Sequence, residues 1–196
     1  DSPRFSLELE TGPVWQSRND VQIPNDEFGT KFSLVDLAGN GPWLGARIYG
    51  TWNISGRHGM RALIAPLSYS ENGTFDEAVD FVGESYVPGV RTEASYKFNS
   101  YRLTYRYRVL TSDRWRLWLG FTAKIRDAKI ELRQGETSSK DSNVGFVPLL
   151  HLAADWNFSE RWHLILDLDA LAGGPGRAED LALKVAFGVT DQWCTT

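Results

Sequence analysis

From Tyr101 to Ile125 the chain reads Y-R-L-T-Y-R-Y-R-V-L-T-S-D-R-W-R-L-W-L-G-F-T-A-K-I, and no other stretch constrains the fold as strongly. Tyr101, Leu103, Tyr105, Tyr107 and Val109 share one parity, while Arg102, Thr104, Arg106 and Arg108 share the other. An extended strand of this kind has one apolar and one basic face. Trp115, Leu117, Leu119, Phe121, Ala123 and Ile125 repeat the pattern against Arg116, Trp118, Gly120, Thr122 and Lys124, and T-S-D-R between the runs reads as a hairpin turn. The simplest architecture that wants a face carrying three arginines is a closed barrel in lipid, apolar outside and polar inside.

Composition narrows the alternatives. A chain of 196 residues fits one domain, 1–196. Its net charge of -4 and pI near 5.4 give no basic excess for nucleic acid. Eighteen glycines, eight tryptophans and seven tyrosines beside a single methionine describe a turn-rich β protein. Cys194 is alone, so it has no internal disulfide partner and no thiol cluster for a metal. No run of about 20 apolar residues exists to make a membrane-crossing helix. Barrel strands alternate, so the mean hydropathy of -0.33 suits a β-barrel. Starting at Asp1, the chain is expected to be a mature exported protein after signal-peptide removal.

Period-two alternation predicts eight strands: about 5–16, 44–52, 60–66, 101–109, 115–125, 144–158, 161–172 and 181–189. Short links fall near 55–57, 111–114 and 159–161, and longer polar links near 17–42, 71–94, 134–143 and 172–179. This alternation of link lengths fits an up-and-down meander with tight turns at one rim and long loops at the other. Phe28 to Leu37 is read as part of the first long loop. Beyond Arg126 the apolar parity passes to Ala128, Ile130 and Leu132, which predicts a bulge near Arg126 and Asp127 and a long fifth strand rising above the bilayer. Trp52, Tyr107, Trp115, Trp156, Phe158, Trp162 and Trp193 gather near the short turns or the C-terminal end and predict an aromatic girdle at one membrane interface.

The strands Y-R-L-T-Y-R-Y-R-V-L and W-R-L-W-L-G-F-T-A-K-I, followed by H-L-A-A-D-W-N-F-S-E-R-W-H-L-I-L-D-L-D-A-L and L-A-L-K-V-A-F-G-V-T-D-Q-W, resemble small bacterial outer-membrane β-barrel proteins of the OmpA/OmpX-like type. The resemblance implies an all-β, antiparallel, up-and-down transmembrane β-barrel in the bacterial outer membrane. Such proteins usually finish on an aromatic residue, whereas this chain ends W-C-T-T, and T-D-Q-W looks like a turn opening another strand. Eight strands are expected, ten if the natural chain continues.

With the apolar parity facing lipid, the lumen receives Arg47, Arg61, Arg102, Arg106, Arg108, Arg116, Lys124, Arg126 and Lys184 against Glu8, Glu10, Asp155, Asp167 and Asp169. A narrow barrel then wants a salt-bridged plug. Five acids cannot neutralise nine bases, so the acidic loop with Glu71, Asp76, Glu77, Asp80 and Glu84 is expected to fold inward, or cations to face water or an anion. The one constellation that resembles catalysis is His151, Asp155, His163 and Asp167, if a three-residue link sets Asp155 opposite His163 and His151 opposite Asp167. No inward serine stands beside them, and no phosphate-binding loop or cofactor motif is present. The expected role is therefore structural or surface-interacting and non-enzymatic, carried by long extracellular loops. The expected partners are outer-membrane lipid and lipopolysaccharide, with detergent in vitro, for a monomer. Two other readings stay open: a lipid-modifying enzyme using the lumen His and Asp, and a soluble lipocalin-like barrel with the apolar face turned inward.

Overall fold

The computed structural model describes residues 3–173, 176–189 and 194–195. In chain order the elements are β1 (Phe5–Val14), β2 (Asp20–Val21), β3 (Phe32–Ser33), α1 (Leu34–Ala38), β4 (Trp43–Asn53), β5 (His58–Ala65), β6 (Ser68–Gly73), β7 (Val79–Phe81), β8 (Glu84–Tyr86), β9 (Thr92–Thr111), β10 (Trp115–Gln134), β11 (Thr137–Asn157), β12 (Trp162–Gly173), β13 (Gly176–Gly188) and β14 (Cys194–Thr195). Eight of these, β1, β4, β5 and β9 to β13, form one antiparallel meander in chain order, and β6 continues the ladder on β9 above β5. β14 opens a ninth strand on β13, while the expected turn T-D-Q-W lies outside the described residues. The sheet is strongly curled: Lys184 on β13 reaches Glu8 on β1 at 2.7 Å. Among the described residues no ladder joins β1 to β13.

The period-two pattern sets which face looks out. Leu7, Leu44, Phe121, Phe146 and Leu183 are between 66% and 79% exposed, with Leu9, Leu103, Leu119, Leu150 and Leu181 beside them. A continuous belt of that size is far more apolar surface than a soluble monomer leaves open. Nine strand residues from Phe5 to Pro13, tilted as barrel strands are, give it a height of about 20 Å. This orientation overturns the lipocalin-like alternative, which needs these side chains inside.

Above the belt the sheet changes character. β10 stays in register with both neighbours through Arg126 and Asp127, opposite Gly145 and Val144 on β11 and Ser100 and Asn99 on β9. The expected bulge is therefore absent there, and the register step falls instead between Leu117 and Trp118, at the short-turn rim. What reverses past Arg126 is the chemistry of the inner face. Leu132, Ala94 and Tyr86 become fully buried in a core with Val21, Phe32, Leu34, Leu37, Phe75, Val79 and Phe81, packed by Tyr96, Trp43 and Ile130. The long loops thus fold as a cap over the inner face of a ribbon made by the upper parts of β9, β10 and β11. Ser33 caps α1 by accepting from Asp36 N, and Tyr86 donates to Leu132 O at 3.1 Å.

The segment 28–37 lies in this cap as β3 and α1 rather than in the wall. Two expected long links prove to be strand. β10 and β11 pair as far as Gln134 and Thr137, leaving a two-residue turn, and β12 and β13 pair up to Gly173 and Gly176.

Candidate functional site

Alternation brings lumen-facing charges from all eight wall strands together. Arg102 on β9 donates to Asp169 on β12 at 3.0 Å, to Asp180 on β13 at 2.5 Å and to Ser100 Oγ at 3.1 Å. Arg61 on β5 pairs with Asp167 and lies 3.6 Å from Glu8. Lys184 pairs with both Glu8 and Glu10. Tyr49 stands between two of these cations, its ring centroid 4.2 Å from the Arg61 guanidinium and 4.6 Å from Lys184 Nζ. Arg116 pairs with Asp155 at 2.5 Å, and Arg47 lies 3.6 Å from Asp180. A guanidinium presents a planar fork that can serve two carboxylates at once, which is how Arg102 cross-links three strands.

Asp180 was missing from the expected set. Its signal is in the sequence, two residues before Ala182 and four before Lys184 on the same parity, but it sits before the apolar run that marks β13. The acidic loop does not supply the lumen: Asp76, Glu77, Asp80 and Glu84 are exposed, and Glu71 accepts from Trp43 Nε1 at 3.0 Å. The apolar cap core is what keeps these acids at the surface. Arg106, Arg108, Lys124 and Arg126 have no carboxylate within ion-pair distance among the described residues. Three of them find neutral partners: Arg106 the ring of Trp118 at 5.2 Å, Arg108 the carbonyl of Gly56, and Arg126 the Oδ1 of Asn143 at 2.9 Å. Among the described residues Lys124 has only the ring of Phe98, at 5.7 Å.

The histidine constellation comes together in a different register from the expected one, with His151 still within ion-pair distance of Asp167 and His163 of Asp155. The link from β11 to β12 spans residues 158–161, so His151 faces Asp169 and Asn157 faces His163, a shift of two residues from the expected register. His151 Nδ1 lies 2.9 Å from Asp169 and 3.8 Å from Asp167, whereas His163 Nδ1 meets Asn157 Oδ1 at 2.5 Å and stands 3.6 Å from Asp155. Each histidine therefore has its own carboxylate. His151, Asp167 and Asp169 are close enough together to suggest a cation site, but Arg61 and Arg102 already occupy the two carboxylates. The space they enclose is about 10 Å3, at the lower limit for one water molecule.

No protein-family model matches the chain, and no curated protein matches its sequence. Among solved structures it is similar to Ail, the attachment invasion locus protein of Yersinia pestis. The complex of Ail with the heparin analogue sucrose octasulfate gives a TM-score of 0.51 at 9% sequence identity, covering 93% of this chain and 96% of that one. A second structure of Ail gives 0.49 at 8% identity over the same shares. The fold is that of a small outer-membrane β-barrel.

On this barrel the aromatic residues near the short turns form pairs. Trp115 stacks on Trp156 at 5.4 Å and 7°, Trp156 meets Phe158 at 5.6 Å, Phe5 stacks on Trp52 at 6.0 Å, and Trp162 meets Phe187 at 4.9 Å. Tyr107 packs on His58 at 5.1 Å. Phe5 and Phe187 thus belong with the expected girdle residues, while Trp193 lies outside the described residues. At the opposite end, the ribbon's outer face is polar. Lys97 donates to Asp127 at 2.8 Å and Lys129 to Glu131 at 2.9 Å, and these hydrogen bonds hold both carboxyls below their usual range. Burial in the cap pushes the Tyr69 phenol well up. Beyond Leu150, toward the ribbon tip, β11 pairs with β10 alone, so among the described residues 137–149 keep one free edge.

Proposed function

We propose that this barrel sits in the outer membrane of a Gram-negative bacterium, with the Leu, Phe and Tyr belt in lipid, and acts at the cell surface as an attachment protein rather than as a pore or an enzyme. The observation that carries the reading is the division of the molecule at Arg126. Below it the lumen is cross-braced by Arg102, Arg61 and Lys184 with their carboxylates. Above it the chain builds a cap with its own apolar core on a ribbon that has one free edge. Free strand edges template pairing with other chains, and Lys140, Asp141 and Pro148 on this edge limit indiscriminate pairing. The likeness to an attachment and invasion protein supports the same direction. An enzyme reading asks His151 to reach a substrate, and the space around it is too small to admit one.

The test compares cells displaying the full chain with cells displaying a barrel whose residues 128–142 are replaced by a tight turn, at matched outer-membrane levels, for attachment to epithelial monolayers. Attachment lost on trimming and kept in His151→Asn is the expected result. Equal attachment by the trimmed barrel, or a lipid modification that disappears with His151→Asn, would overturn it.

A further inference from the structure

Between the plug and the cap lies a cavity of about 360 Å3 that the surface role does not use. Its level can be read along β9: Ala94 and Tyr96 point into the cap core, Phe98, Ser100 and Arg102 line the cavity, and Thr104 belongs to the plug below. The volume is typical of a small-molecule pocket, and its lining has the usual division between an apolar wall and a few convergent polar groups.

The charge of that lining is unbalanced. Arg47, Arg102 and Lys124 face it together with Glu10 and Asp180. Glu10 is already paired with Lys184, and Asp180 is held by Arg102 with Arg47 at 3.6 Å. Lys124 has no ion pair or hydrogen bond among the described residues. The apolar part of the lining is supplied by Val14, Leu67 and Phe98, the last beside Lys124. Gly12 leaves the lumen face of β1 open, since a Cβ on it would meet nothing within 4 Å, while Gly45 opposite makes room for the Val14 side chain.

We propose that this cavity is a binding site for a small amphiphilic carboxylate, whose anionic head rests on Lys124 and Arg47 while its hydrocarbon body lies against Val14, Leu67 and Phe98. One negative charge satisfies Lys124, and an apolar tail suits the Val14, Leu67 and Phe98 side chains.

The experiment is calorimetric titration of the full chain in lipid nanodiscs, with empty nanodiscs subtracted, using hexanoate as the probe and hexanol and hexylammonium as controls. Saturable binding of hexanoate is expected, with neither control binding comparably. Lys124→Met should weaken hexanoate about tenfold or more, the loss of one charge-assisted contact. Gly12→Phe should abolish binding by filling the cavity, and because the new side chain enters open space, the gel shift on boiling should be retained. Hexanoate heat no different from empty nanodiscs, affinity unchanged in Gly12→Phe, or hexanol bound as tightly as hexanoate would each overturn the proposal. None of these outcomes touches the surface role, which uses neither residue.

Discussion

Arg102 is the position where the plug can be tested by one substitution. Its side chain is 6% exposed, and it satisfies Asp169 and Asp180 on two different strands. Arg102→Met keeps much of the volume and takes a buried charged partner from both carboxylates. Removing one partner of a buried pair costs about 3–5 kcal/mol. Here Asp169 keeps Thr122 Oγ1 at 2.7 Å and His151 Nδ1 at 2.9 Å, and Asp180 keeps Arg47, so the lower end of that range, about 3 kcal/mol, is expected. Neutralising one of these carboxylates in Arg102→Met/Asp180→Asn should return about 1–2 kcal/mol, as coupled sites do. Arg133→Met, an exposed pair 3.4 Å from Glu131 on the ribbon, should change stability by less than about 0.5 kcal/mol. The assay is urea unfolding of the barrel in lipid vesicles, followed by tryptophan fluorescence. A loss below about 1 kcal/mol for Arg102→Met, or a double variant no better than the single, would refute the claim that this arginine braces the lumen.

Other outcomes follow from the outer face, the ribbon and the cap. Leu183→Arg, at an outward position 66% exposed, should cost about 2–4 kcal/mol in vesicles, and a variant as stable as the parent would mean that this face does not meet lipid. An NMR titration of the Asp127 carboxyl should give a midpoint below 3.8, moving back toward that value in Lys97→Met. Its folded-state pKa is depressed, so the contribution of the Lys97 pair is present above the ordinary carboxylate pKa and is lost as pH falls through the depressed value; a midpoint unmoved by Lys97→Met would contradict the contact. A Cβ at Gly73 would lie 1.8 Å from the carbonyl oxygen of Leu37, so Gly73→Ala should displace α1 from β6 and speed tryptic cleavage at Lys31. Cleavage at the parental rate would show that the cap does not need this close approach.

Most wall strands were legible because the outer and inner faces differ so sharply in chemistry. The alternation of Tyr101 to Val109 against Arg102 to Arg108 leaves only one face for each side chain once the outside is apolar. Other features depend on contacts that periodicity does not carry. The passage of apolar residues to Ala128, Ile130 and Leu132 reads as a bulge when the inside is assumed polar throughout; in fact the strand continues and the loops bring their own apolar side chains to its inner face. Which histidine meets which aspartate hung on the length of one turn, and a two-residue change exchanged Asp167 for Asp169 opposite His151. Asp180 was obscured because strand content ahead of Leu181 is A-E-D, without the apolar alternation that marks the rest of β13.

Whether the apolar belt meets lipid is tested most directly by fractionating cells that express the full precursor and running the band with and without boiling. The outer-membrane reading predicts a band in the outer-membrane fraction whose mobility shifts on boiling, because the strand ladder survives detergent until heated. A soluble periplasmic band with no shift would contradict it.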